Sequence, residues 1–120
     1  MSTYNCNIDG AQFEAICNYW ENSYAWGHIV ELYEDGRLVA SRKIRYYNRT
    51  WEVYMYQNAI LCAIDKLLFS AKSKCLADFK SERGYKRLTA ERRKEFDAYM
   101  IHCDELQKYL QLYSHYKQRI

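Results

Sequence analysis

The chain of 120 residues lacks proline, has four glycines, and has no C-x-x-C pair among its five cysteines. Because the glycines are not clustered, Walker and dinucleotide-binding loops are absent and nucleotide hydrolysis is not expected. The longest apolar run, residues 59–64, is far shorter than the roughly 20 residues of a membrane span. The absence of a secretory signal and of paired cysteine motifs predicts reduced thiols and a location in the cytoplasm of a host cell.

Charge is distributed unevenly along the chain. Residues 1–36 carry six acids and no Lys or Arg, whereas residues 37–49 carry five cations and no acid. A second basic stretch, residues 72–94, has nine cations against three acids. The net charge is only +3, but this uneven distribution suggests one face for an anionic partner and another for a neutral or basic one. The alternative is that the oppositely charged segments attract each other and fold together.

In the first half, a helix and a β-hairpin are predicted. Asp9 and Gln12 resemble a capping pair, and apolar residues follow at helical spacing, which predicts a helix over residues 10–21. Asp35-Gly36 predicts a β-hairpin over residues 28–46. A three-residue loop gives a better register than a two-residue turn, because it gathers apolar residues on one face. That face is expected to contain Val30, Leu32, Leu38, Ala40 and Ile44, and the opposite face Glu31, Tyr33, Arg37, Lys43 and Arg45.

In the second half, two long helices are predicted. The first covers residues 50–83, with Asn48 or Thr50 as its N-cap and Gly84 at its C-terminal end. Thr89 is the expected cap of a helix over residues 89–118, whose apolar residues alternate three and four apart. This predicted seam consists of Phe96, Tyr99, Cys103, Leu106, Leu110 and Tyr113. The expected fold is a single α+β domain of order α-β-β-α-α, with a two-stranded antiparallel hairpin on a long antiparallel helical hairpin.

No group of residues predicts catalysis. His102 and Cys103 are adjacent, but neighbours on a helix diverge by about 100°, so they cannot share one metal or act as base and nucleophile. His28 and His115 have no partner at ligand spacing. We therefore expect a protein that is not an enzyme and that uses no cofactor or metal.

The aromatic content favours binding. Thirteen tyrosines and three tryptophans are more than one core of this size would use, because each buried hydroxyl or indole N–H needs a partner. Tyr and Arg are typical of protein interfaces, and they predict a partner-binding rim of Arg37, Lys43, Arg45, Tyr47, Arg49 and Tyr54. Arg92, Arg93 and Lys94 in the first turn of a helix oppose its dipole. Together with Lys86 and Arg87 of the preceding loop, they predict a second site, for an anion or nucleic acid.

The chain combines a compact acidic N-terminal segment, the hairpin "YEDGRLV", the stretch "YYNRTWEVYMYQNAI" and a helical C-terminal region. This combination resembles small accessory proteins of phages and mobile elements, of the size of anti-CRISPRs. The resemblance covers residues 28–64 and contains no ligand signature, so no functional residue is carried over. It implies an inhibitor that occupies a protein surface on a host nuclease or its nucleoprotein complex. The basic charge departs from the acidic DNA mimics of that kind. The alternatives are a small basic nucleic-acid-binding or regulatory protein and a homodimer or larger homo-oligomer built on the C-terminal seam.

Overall fold

The computed structural model describes residues 1–46 and 55–118. Four strands are followed by three helices within one small α+β domain, so the predicted order α-β-β-α-α is wrong. The strands form one antiparallel sheet in the order β1-β2-β3-β4. The elements are β1 Ser2–Ile8, β2 Ala11–Glu21, β3 Trp26–Glu34, β4 Arg37–Tyr46, α1 Met55–Arg83, α2 Ala90–Met100 and α3 Asp104–Gln118.

The helix predicted over residues 10–21 is a strand. Asp9 and Gly10 have φ angles of 50° and 86°, which suit a two-residue hairpin turn, and Ile8 pairs with Ala11 across it. Every second residue of the following strand is buried, at Phe13, Ala15 and Cys17. This period of two is that of a strand, because alternate side chains then lie on the one face of the sheet that packs against the helices.

The hairpin of β3 and β4 is present, but its turn differs from the prediction. Asp35 and Gly36 have φ angles of 51° and 81° and form a two-residue turn, with Glu34 opposite Arg37. A bulge then shifts the register by one residue, so that Leu32 pairs with Ala40. The predicted pairing therefore holds beyond the bulge. Leu38 precedes the shift and stays 49% exposed, so its predicted place on the apolar face is wrong.

The main core lies between the inner face of the sheet and the helices α1 and α3. Glu34 fixes α3 to the sheet, because its carboxylate accepts hydrogen bonds from Lys108 Nζ at 2.7 Å and from the Tyr109 hydroxyl at 3.1 Å. The Tyr116 hydroxyl donates to the carbonyl of Tyr4 at 3.0 Å. The buried core residues are Phe13, Ala15, Cys17, Val30, Leu32, Ala59, Ile60, Ala63, Ile64, Ala71, Leu106, Tyr109, Leu112 and Tyr116.

A second, smaller cluster lies where the C-terminal part of α1 packs against α2. It is built on buried Cys75, Phe79 and Phe96. The chain reverses here as predicted: Gly84 has a φ angle of 68°, and Thr89 caps α2 by accepting a hydrogen bond from the backbone N–H of Arg92. Both end signals are therefore confirmed.

The C-terminal region is two helices, not one helix over residues 89–118, because α2 ends at Met100 and α3 begins at Asp104. This break changes which residues face the core: Leu110, part of the predicted seam, is 44% exposed. The start of the long helix predicted at residue 50, with its caps, lies outside the described residues. None of the helices in residues 55–118 is both long and apolar enough to cross a membrane.

The expectation of five reduced thiols is wrong for one pair. Cys75 of α1 and Cys103, between α2 and α3, form a disulfide. Both residues belong to apolar stripes that antiparallel packing brings face to face, which is why a pair 28 residues apart in sequence can meet. The disulfide attaches the segment that follows α2 to the C-terminal part of α1.

Candidate functional site

A groove between α1 and α2 contains three of the five residues predicted to contact an anion. Its volume is about 650 Å³, which is within the range of peptide and ligand clefts. We call it the basic groove. It is lined by the cations Lys72, Lys80, Lys86, Arg87 and Arg93, by the apolar residues Leu76, Leu88, Phe96 and Met100, and by Asp97.

Helical spacing places these side chains together. The α1 residues of the groove recur every four positions, and those of α2 recur one, three or four positions apart, so each helix turns one stripe towards the other. The reversal at Gly84 brings the three residues of the connecting loop between the two stripes. The α1 stripe is Lys72, Leu76 and Lys80, the loop contributes Lys86, Arg87 and Leu88, and the α2 stripe is Arg93, Phe96, Asp97 and Met100.

Among the described residues, the salt bridges identified leave the groove cations unpaired. They include Lys74 with Glu105, Arg83 with Glu95, and Lys108 with Glu34. None of them includes any of the five groove cations. One carboxylate, Asp97, faces these five positive charges. Like charges gathered in one concave site produce a positive potential that attracts anions.

Arg92, although predicted with this set, lies elsewhere. Its guanidinium stacks 4.2 Å from the centre of the Tyr85 ring and donates a hydrogen bond to the carbonyl of Arg87 at 3.2 Å. Tyr85 in turn donates to the Glu95 carboxylate at 2.9 Å. Arg92 therefore supports the loop that shapes the groove. Lys94 is exposed and is not part of the groove lining.

Lys72 and Lys80 were missed as site residues. They lie in the basic stretch of residues 72–94, and the signal that identifies them is their spacing of eight, or two intervals of four, on one face of α1. The apolar side chains between them were missed as well, since they were assigned to the packing between the helices. Facing stripes on two antiparallel helices are visible once the reversal at Gly84 is known.

The predicted partner-binding rim is divided in the structure. Arg37 lies at the turn beside Glu34, whereas Lys43 and Arg45 lie near the other end of β4. Arg45 lies eight positions after Arg37 in β4, which corresponds to roughly 26 Å. Lys43 Nζ lies 4.4 Å from the ring centre of Trp20 on β2, across the intervening strand β3. The other three residues, Tyr47, Arg49 and Tyr54, fall outside the described residues.

Elsewhere in the described ranges, no three His, Cys, Asp or Glu side chains are grouped as metal ligands would be. Comparisons with protein-family models, curated proteins and solved structures gave no match for this chain. The chemistry of the basic groove is therefore the basis for assigning a function.

Proposed function

We propose that this chain is a non-enzymatic binding protein that holds an acidic segment of a partner protein in the basic groove. The observation that carries the proposal is the convergence of five cations, none in a described ion pair, on a groove with apolar side chains. The charges would speed the encounter with an acidic surface, and burial of apolar anchors would slow its dissociation.

The composition of the groove favours a protein segment over a nucleic acid. Single-stranded nucleic acids bind where bases can stack on open aromatic rings. The aromatic side chain of the groove, Phe96, is 6% exposed and packs against Phe79 with ring centres 5.4 Å apart. The remaining apolar residues are aliphatic or methionine, which suit the aliphatic anchors of a peptide. A basic nucleic-acid-binding protein is the second candidate, favoured by the same five cations.

The predictions of nuclease inhibition and of a homo-oligomer have less support than the proposed binding role of the groove. Inhibition of a host nuclease-based defence rests on the resemblance of residues 28–64, and it stays a prediction; on this proposal the acidic segment would belong to the nuclease or its complex. The homo-oligomer alternative needs an available C-terminal seam. Phe96 and Leu106 of that seam are buried within the chain, which disfavours the alternative.

The proposal can be tested with a fluorescein-labelled helical peptide of 18 residues, rich in Glu and with Leu every three or four residues. We expect the double variant Arg87→Glu, Arg93→Glu to weaken its binding about tenfold, since two charge reversals each disturb exposed ion contacts. The control is Lys94→Glu, because it makes the charge change of one of these two reversals next to Arg93 but outside the groove. This control should weaken binding less than about threefold, through the change in overall field.

Salt and ligand chemistry identify the type of partner. The loss caused by the double variant should be larger in low salt than in high salt, because exposed charges are screened. A peptide with Ser in place of Leu should bind more weakly than the Leu peptide. If an 18-nucleotide single strand binds more tightly than both peptides, the nucleic-acid candidate is correct. If Lys94→Glu weakens binding as much as the double variant, the groove is not the site.

A further inference from the structure

Two further clefts lie along α1, beside the edge strand β4. One is lined by residues 38–41 of β4 together with Lys66, Leu67 and Ser70, and has a volume of about 380 Å³. The other, of about 450 Å³, is lined by Arg42, Cys62, Asp65, Lys66, Phe69 and Ser70. Because they share Lys66 and Ser70, we treat them as one feature, the edge cleft. Lys66 Nζ donates to the carbonyl of Ser41 at 2.9 Å and so fixes α1 against β4.

The edge cleft and the basic groove are joined by one face of α1. Lys66, Phe69, Lys72, Leu76 and Lys80 are separated by three, three, four and four residues, so they form a single stripe along the helix. Phe69 lines the edge cleft about one helical turn before Lys72 of the basic groove, and it is 75% exposed. Its ring is the largest exposed apolar group on this face. Lys66 precedes it, and Lys72 follows it, by about one helical turn.

We infer that one acidic helical segment of the partner lies along this face of α1, with Phe69 as its central contact. The inference rests on the proposed function and extends the site from the basic groove to the edge cleft. From Lys66 to Lys80 the stripe is roughly 21 Å long, the length of a helix of about four turns. Lys66, Lys72, Lys80 and Arg42 supply positive charge along it, against two acids, Asp65 in the edge cleft and Asp97 in the basic groove. A segment with acidic residues flanking apolar anchors is complementary to this pattern, in the helix-in-groove mode of recognition.

The experiment uses the full chain and the same 18-residue probe of Glu and Leu. In the wild-type protein, adding the probe should shift the backbone amide NMR signals of Phe69, Ser70 and Ser41 as well as those of Arg93 and Leu88. Phe69→Ala should weaken binding about fivefold, the scale of one interface residue. Leu110→Ala is the control, because it also removes an exposed apolar side chain but lies on α3, outside both features.

The outcomes separate this inference from the proposed function. Weakening by Arg87→Glu, Arg93→Glu with no effect of Phe69→Ala and no shifts at residues 66–70 would overturn the extended site and leave the groove in place. Weakening by Phe69→Ala with no effect of the groove variants would overturn the proposed function. If Leu110→Ala weakens binding as much as Phe69→Ala, the probe binds apolar surface without specificity and the inference fails.

Discussion

The sheet-containing part of the molecule and the α1–α2 end differ in how they are held together. Fourteen buried residues form the main core, whereas three form the cluster of Cys75, Phe79 and Phe96. In the first region Glu34 is partnered by both Lys108 and Tyr109; in the second, five cations face one groove without described ion pairs. Stability is therefore concentrated in one region, while the other presents charge in an arrangement that costs local stability, as the proposed binding role would require.

The difference in stability between the two regions can be tested by removing one buried aromatic ring from each. Phe13→Ala should destabilise the protein by about 3–5 kcal/mol, because Phe13 is 1% exposed and the sheet around it cannot collapse into the cavity. Phe79→Ala should cost less, about 2–3 kcal/mol, since α2 has fewer neighbours and can move inward. Urea denaturation measures both values. Equal costs for the two variants would show that the α1–α2 cluster is as rigid as the main core.

The second prediction concerns the disulfide that attaches α2 to α1. Replacing Cys75 and Cys103 by alanine should lower stability by roughly 3 kcal/mol, because the bond closes a loop of about 28 residues in the unfolded chain. Hydrogen exchange should increase mainly in α2, and less in the sheet. Cys62→Ala is the control, since Cys62 is a free cysteine. Thermal unfolding that responds equally to a reducing agent in wild type and the double variant would exclude this role of the bond.

The smallest effect is expected at Cys17, in the main core. Burial raises the pKa of the Cys17 thiol from 9.0 to about 11. A raised pKa in the folded state means that the protonated thiol favours folding: this contribution is complete below pH 9 and is lost as the pH rises through about 11. Iodoacetamide at pH 8 should modify Cys62 well before Cys17, as mass spectrometry of peptides can show. In Cys17→Ala, the loss of stability between pH 9 and 11 should be smaller than in wild type; an identical pH dependence would contradict this assignment.

The ends of the helices at the reversal were predictable because they depend on local rules. Gly84 adopts the left-handed conformation that ends a helix, and Thr89 accepts the hydrogen bond of an N-cap. The break between α2 and α3 was not predictable in this way. No Gly or Pro marks residues 101–103, and it is the packing of α3 on the sheet that requires a change of direction.

The first half shows how two periodicities can coexist in one segment. Phe13, Ile16, Cys17 and Trp20 have helical spacing, whereas Phe13, Ala15 and Cys17 alternate as in a strand. Asp9-Gly10 is the same dipeptide as Asp35-Gly36, and it was the available sign of a hairpin. The neighbouring strands decided the outcome, because residues 13–17 pair on both sides, and such long-range pairing is not visible in a local pattern.

The candidate site was partly predictable for a similar reason. Lys86 and Arg87 were identified from the local charge of the loop, and Arg93 also from its opposition to the helix dipole. Their grouping with Lys72 and Lys80 needed the packing of α2 on α1. The separation of Arg92 from Arg93 follows from the angle of about 100° between consecutive helical residues, but which of the two would face the groove depended on the position of Tyr85.

The continuity of α1 has a thermodynamic consequence for recognition. This helix of 29 residues contains neither glycine nor proline, and it contributes both to the main core and to the groove. The proposed binding face is therefore held in one orientation before a partner arrives, anchored at one end by the sheet. A partner that docks along α1 does not have to order this surface, so little conformational entropy is lost on association and more of the contact energy is retained as affinity.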